Sequence, residues 1–298
     1  MKARIPLLLA AAALVSACAT KMVVSPADMP PTPLSAEASA LTQEGPEAVS
    51  VTAATMRGVY GCSVAYEVYE PASRRTDVTV YLAHGFQRDL THMRGWARLW
   101  ASYGVRTVVM SLCNSKLTAG NHDRNAEDMR ALASSLGTGP MIYAGFSAGG
   151  LAALLAAAAD PRAIAYLGLD AVDSNDLAAP AARALTVPAL FILGMPTACN
   201  ADGNMAPVVP LMRNAAATRV RATVHCMFED PSDAACAALC GTVEPPEARQ
   251  QSAAVIRSLG TAWILDKAVA SETARAVLAD LWADGAQWQG RVDILRAP

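Results

Sequence analysis

The stretch Pro140-Met141-Ile142-Tyr143-Ala144-Gly145-Phe146-Ser147-Ala148-Gly149-Gly150-Leu151 carries the fold in miniature. An apolar run ends in Gly-Phe-Ser-Ala-Gly and passes directly into an Ala/Leu-rich run, Leu151 to Ala159. That order reads as strand, sharp turn, helix. A serine at such a turn sits on strained backbone, its hydroxyl pushed out of the sheet at a helix N-terminus, where developing negative charge is favoured. The glycines are needed because side chains on either side of the serine would collide with the strand and the helix. Ser147 is therefore the candidate nucleophile, and the turn reads as a nucleophile elbow.

Outward from the elbow, apolar runs alternate with helical patterns. Val59 to Val68 reads as an early antiparallel strand or pair, Val78 to Ala83 as a buried strand ending at His84-Gly85, and Val105 to Ser111 as the next strand. Thr91 to Tyr103 reads as a helix with Trp96, Leu99, Trp100 and Tyr103 on one face, and Asn125 to Leu136 as another with Met129, Leu132 and Leu136 on one stripe. After the elbow come strands at Ala163 to Leu169, Pro188 to Leu193 and Arg219 to His225, then a helical tail from Glu247 to Leu281 interrupted near Ser258-Gly260. This alternation predicts an α/β fold with a mostly parallel, doubly wound sheet, whose ligands sit at the carboxyl ends of the strands. No internal repeat and no second domain are visible.

The N-terminus reads as a targeting segment. Met1-Lys2-Ala3-Arg4 is positive, and Ile5 to Val15 is an apolar stretch of 11 residues, too short to span a bilayer. It ends in Val15-Ser16-Ala17-Cys18, which resembles the lipobox of bacterial lipoproteins. The resemblance implies a signal peptide over 1–17, acylation of Cys18 and a lipid-anchored protein of the cell envelope. Ala19, where inner-membrane retention would favour Asp, implies the outer membrane facing the periplasm or exterior. Residues 18–50, rich in Pro, Ser, Ala and Thr, read as a flexible tether, leaving 51–298 as a single domain. A net charge of −2 favours neither nucleic acid nor an anionic membrane surface, so the lipid at Cys18 is the expected membrane contact. No apolar run after Val15 is long enough for a transmembrane helix.

Without Cys18, six cysteines remain, compatible with three disulfides in any of 15 pairings and with an oxidising compartment. Cys62 with Cys113 is the expected first bridge, since both precede the elbow while Cys199, Cys226, Cys236 and Cys240 follow it. Cys199 is expected to meet one of the other three and pin the loop after the last strand. A zinc site lacks ligands: there is no Cys-x-x-Cys pair and there are only four histidines. No metal or cofactor is expected.

A serine hydroxyl needs a positioned base, and the base needs a group to orient it. Behind an elbow the chain order should be Ser, acid, His. His225 is the sole histidine after Ser147 and is the expected base. Asp170, at the tip of the strand after the elbow helix, is the preferred acid. Asp202, after the next strand, and Asp173 are the alternatives, though Asp173 and Asp176 could instead cap the segment Leu177 to Leu185. The oxyanion requires two backbone N–H donors, expected at Ala148 and, from the loop after His84-Gly85, at Phe86. His84 is expected to brace that loop, and His122 to serve capping and solvation before its helix, with lining of the site mouth as the alternative.

Together these residues resemble the α/β-hydrolase superfamily, from about Val78 to Asp230. An acid on the strand directly after the elbow helix resembles chlorophyllases and platelet-activating-factor acetylhydrolase-like esterases, and the spacings, Asp170 23 residues after Ser147 and His225 78 after it, are similar to the latter group. The resemblance implies Ser147 as nucleophile, Asp170 as acid and His225 as base, with Phe86 and Ala148 as oxyanion donors, in a carboxylic ester hydrolase. The 17 residues between Asp170 and Pro188 are too few for a cap domain, so no sizeable lid is expected and the site should be open. The substrate is expected to be an ester of unspecified kind. An acyltransferase or peptidase on the same triad, or a non-catalytic envelope lipoprotein of the same fold, are the competing readings.

Overall fold

The computed structural model describes residues 21–30, 32–116 and 119–298. Its main sheet has nine strands, here β1 (Val49–Arg57), β2 (Ser63–Pro71), β3 (Thr79–Ala83), β4 (Arg106–Met110), β5 (Met141–Phe146), β6 (Ala163–Leu169), β7 (Ala189–Leu193), β8 (Ala215–Val220) and β9 (Val292–Arg296). Their order across the sheet is β1-β2-β4-β3-β5-β6-β7-β8-β9. From β4 to β8 all neighbours are parallel, while β1, β2 and β9 form antiparallel edges. The chain is thus mixed α/β with a largely parallel sheet.

Both faces of the sheet are covered, which is why its central strands read as unbroken apolar runs: all residues of β3, β5 and β7 are buried. One face carries α2 (Arg94–Ala101), α7 (Pro246–Val269) and α8 (Glu272–Trp282), with Trp96, Trp100, Leu259 and Trp288 in the apolar layer. The other carries α3 (His122–Leu136), α4 (Ala148–Ala159) and α5 (Ala178–Ala184), around Met129, Leu151, Leu154 and Tyr166. The short helices α1 (Ala36–Ala40) and α6 (Ala234–Cys240) lie outside these layers in sequence, before β1 and after β8. Helix α4 is apolar all round because it is sandwiched between the sheet and its neighbours α3 and α5. Among the described residues no helix is long and apolar enough to cross a membrane.

Several boundaries differ from those read in the sequence. The early strand is a hairpin of β1 and β2 that turns at Gly58–Cys62, and its first strand begins at Val49. The helix expected over Thr91 to Tyr103 is split into a 3-10 turn, Leu90–Met93, and α2. Asp89 accepts from Thr91 N and fixes that entry. The strand expected over Arg219 to His225 ends instead at Val220, and His225 opens a 3-10 turn. The helical tail is continuous through Ser258 and Gly260. It breaks at Ala270, which takes a left-handed conformation (φ 52°), with Ser271 capping α8.

Residues 21–30 and 32–50, within the expected tether, are the largest correction. They do not dangle. Lys21–Val23 pairs in parallel with Thr242–Glu244, Ser35 N donates to Gln287 Oε1 (2.7 Å), and Tyr103 Oη donates to Ala40 O (2.8 Å). Arg291 donates to Thr32 O. The segment has no periodicity, yet its few apolar side chains, Met22, Leu34, Ala38 and Leu41, enter the apolar clusters of the body. The signal peptide and Cys18 lie outside the described residues.

Because Leu41 is 3% exposed within the main core, Leu41→Ala should destabilise the protein by about 2–5 kcal/mol. Urea unfolding of the two proteins tests this; a free tether at 18–50 would give no difference.

Candidate active site

The elbow has the geometry its residues require. Ser147 joins β5 to α4 with φ 55° and ψ −125°, a strained left-handed backbone for a non-glycine residue. The turn closes only because its flanks lack side chains. A Cβ on Gly145 would lie 2.2 Å from Gly149 O, and one on Gly149 would lie 2.3 Å from His84 O. The serine backbone is tied in on both sides, Ser147 N donating to Leu169 O and Val172 N donating to Ser147 O. Its hydroxyl therefore has one place to go, above the carboxyl end of β5.

His225 meets it there. Nε2 lies 2.8 Å from Ser147 Oγ and Nδ1 lies 2.6 Å from Asp170 Oδ2. With a carboxylate against Nδ1, the ring proton belongs on Nδ1, which leaves the Nε2 lone pair to accept from the serine hydroxyl. All three residues are buried, and the Phe146 ring packs on the imidazole with centroids 4.6 Å apart. The three side chains stand at the ends of β5 and β6 and just beyond β8, strands of one parallel run in which β7 separates β6 from β8 and whose carboxyl ends share one edge.

Asp170 is held by more than the histidine. Gly194 N donates to Oδ1 (2.8 Å), and Asn200 Nδ2 lies 3.3 Å from Oδ1 and 3.1 Å from Oδ2. Asn200, fully buried in the 3-10 turn Ala198–Gly203, is itself locked: its Oδ1 accepts from Thr197 N and Gly203 N, and its Nδ2 donates to Met195 O. Nothing in the sequence singled Asn200 out, since a lone Asn in a loop carries no spacing signal.

The two other carboxylates considered lie elsewhere. Asp202 is exposed on the same turn, at φ 55°. Asp173 accepts from Ala178 N (2.9 Å) and caps α5, the alternative role expected for it. The loop after β3 passes beside the serine: a Cβ on Gly85 would lie 3.2 Å from Ser147 Cβ, so Phe86 follows directly at the site, while Ala148 opens α4. His84 braces this loop. Its Nδ1 donates to Gly85 O (2.7 Å) and its Nε2 accepts from Leu112 N (3.0 Å), a bridge possible only for the neutral ring. Burial pulls its pKa down to about 4. His122, expected to cap and solvate, is instead the buried first residue of α3, its pKa lowered by burial.

Three disulfides are present: Cys62–Cys113, Cys199–Cys240 and Cys226–Cys236. The first is the bridge expected, and Cys199 does meet one of the later three. The last two staple α6 at both ends, through Cys226 beside His225 and through Cys199 beside Asn200. The close approach of the Cys226, Cys236 and Cys240 sulfurs follows from these two adjacent bridges.

No protein-family model matches this chain, and no curated protein does. The arrangement itself supplies a hydroxyl, a base within hydrogen-bonding reach and a fixed carboxylate behind the base, the parts of an activated serine nucleophile.

Two outcomes follow for the site. Asn200→Ala should slow labelling of Ser147 by a fluorophosphonate by about 10-fold or more and cost about 1–3 kcal/mol, since a buried carboxylate loses a donor; Asp202→Asn should change neither. The second concerns pH. The folded pKa of His84, about 4, lies below its ordinary value of 6.5, so its contribution to stability is complete above pH 6.5 and is lost as pH falls toward 4. Melting temperatures between pH 7 and 4 should therefore fall less steeply in His84→Gln than in the parent; parallel curves would remove His84 from the account.

Proposed function

We propose that this protein is a serine hydrolase that cleaves a carboxylic ester through an acyl-enzyme, anchored in the cell envelope by lipid at Cys18. One observation carries the reading: the unbroken hydrogen-bonded chain from Ser147 Oγ through His225 to Asp170. The nucleophile after β5, the carboxylate after β6 and the histidine after β8 follow the chain order Ser, Asp, His of the α/β-hydrolase sheet. Three disulfides suit an oxidising compartment.

In this reading Ser147 Oγ attacks the ester carbonyl as its proton passes to His225 Nε2. Asp170 holds the ring by Nδ1–H and stabilises the imidazolium without taking the proton. The N–H groups of Ala148 and Phe86 receive the oxyanion, with the N-terminal end of α4 beneath it favouring the charge. His225 then returns the proton to the departing alcohol. A water molecule, deprotonated at the same nitrogen, releases the acid and restores Ser147. Only α5 lies between β6 and β7, too little for a cap, so the site suits a bulky or surface-borne ester.

Turnover of p-nitrophenyl butyrate tests this. Ser147→Ala and His225→Ala should remove essentially all activity, and Asp170→Asn should lower kcat by about 10⁴-fold, with fluorophosphonate labelling mapped to the peptide containing Ser147. Labelling at another residue, or a mild Asp170→Asn beside a damaging Asp202→Asn, would overturn the assignment.

A further inference from the structure

The two loops that must cooperate at Ser147 are joined by a buried ion pair that the reaction chemistry does not itself call for. Arg88 follows Phe86 by two residues. Its guanidinium forms a fork on Glu229, Nε to Oε1 at 2.6 Å and Nη2 to Oε2 at 2.8 Å, and Nη2 also reaches Asp233 Oδ2 at 2.9 Å. Glu229 lies four residues after His225, and its side chain is fully buried; that of Arg88 is 15% exposed. Asp233 caps α6 by accepting from Cys236 N, and Cys236 is bridged to Cys226 next to the histidine. One guanidinium therefore touches the loop carrying Phe86, the loop carrying His225 and the cap of the stapled helix.

Backbone contacts run in the same direction. Asp230 N donates to His92 O, Gly95 N donates to Asp230 O, and Trp96 Nε1 donates to Phe228 O. His92 Nε2 adds a contact to Asp233 at 3.0 Å. Burial works against the charge on Arg88, but the hydrogen bonds and charges of Glu229 and Asp233 outweigh it and hold its pKa above the ordinary value. A forked Arg–carboxylate pair fixes both distance and orientation, which a lysine, a point charge, cannot do.

We infer that Arg88 and Glu229 are positioning residues that set the Phe86 N–H donor at a fixed distance from His225, so that oxyanion stabilisation and proton transfer act on one bound carbonyl. The side-chain hydrogen bonds of the pair run to each other and to Asp233, and the pair is separate from the Ser147–His225–Asp170 chain. The fork fixes distance and orientation, so the effect inferred for it is geometric. The inference rests on the ester-hydrolase reading. Misplacing a donor by about 1 Å costs on the order of 100-fold, and the loss falls on an interaction made only in the transition state, which lowers kcat at unchanged KM.

The test uses the full-length chain, with Arg88→Met, Arg88→Lys, Glu229→Gln and the Arg88→Met/Glu229→Gln double variant, assayed on p-nitrophenyl butyrate, with melting temperature measured alongside. Arg88→Met should lower kcat by about 10- to 100-fold at constant KM. Arg88→Lys should recover part of it, and the double variant should be no worse than Arg88→Met alone, because the two act as one unit. Should Arg88→Met fail to fold, Arg88→Lys and Glu229→Gln carry the same comparison. An active parent whose variants keep full kcat, or lose activity only in proportion to melting temperature, overturns the positioning role and leaves the hydrolase reading standing. A parent that neither turns over the ester nor is labelled at Ser147 overturns both.

Discussion

Asp170 is a carboxylate with 1% of its surface exposed, and a buried charge of that kind persists only where donors surround it. Those donors come from separate parts of the chain: Gly194 N at the end of β7, Asn200 from the following turn, and His225 Nδ1 from beyond β8. Satisfying one side chain thus dictates how far β7 extends, how the Ala198–Gly203 turn folds back and where the histidine loop must hang. The aspartate is itself held at φ 42°, with its N–H on Ile192 O. The sheet fixes the carboxylate, and the carboxylate fixes the base.

The disulfides act on the same constraint from outside. Cys199 adjoins the asparagine that donates to Asp170, Cys226 adjoins the histidine, and both are tied to α6. A helix of seven residues on the surface would be marginal alone. Bridged at Cys236 and Cys240, it ties the two loops on either side of Asp170 to one short element. The Cys62–Cys113 bridge does comparable service at the other edge, joining the β1–β2 hairpin to the segment after β4.

Much of this was legible in the sequence, because the parallel strands are buried on both faces and show as continuous apolar runs. Ala163–Leu169 is a strand to the residue, and the elbow lies where its glycines put it. Where the reading failed, small or polar residues were recruited by tertiary packing. Ala215–Ala217 begin β8 despite weak strand preference, because that position is buried beside β7. Ser258 and Gly260 looked like a break, but they are buried inside α7. Strand β9 pairs along an antiparallel edge with a bulge and carries little periodicity. At the site, Ser147, His225 and Asp170 were readable from motif and chain order. Asn200 and the Arg88–Glu229 fork were not, since each depends on contacts between residues distant in sequence.

The docking of residues 21–30 and 32–50 changes the mechanics of any anchor. A free chain of the length from Cys18 to Val51 would let the domain wander about 30 Å from its attachment. With Lys21–Val23 paired to Thr242–Glu244, three peptide units separate Cys18 from the folded body, a span of at most about 11 Å. An acyl group on Cys18 would then be a leash rather than a line, holding the protein flush against the bilayer near the stapled helix. A protein held on so short a leash would meet only what reaches that surface.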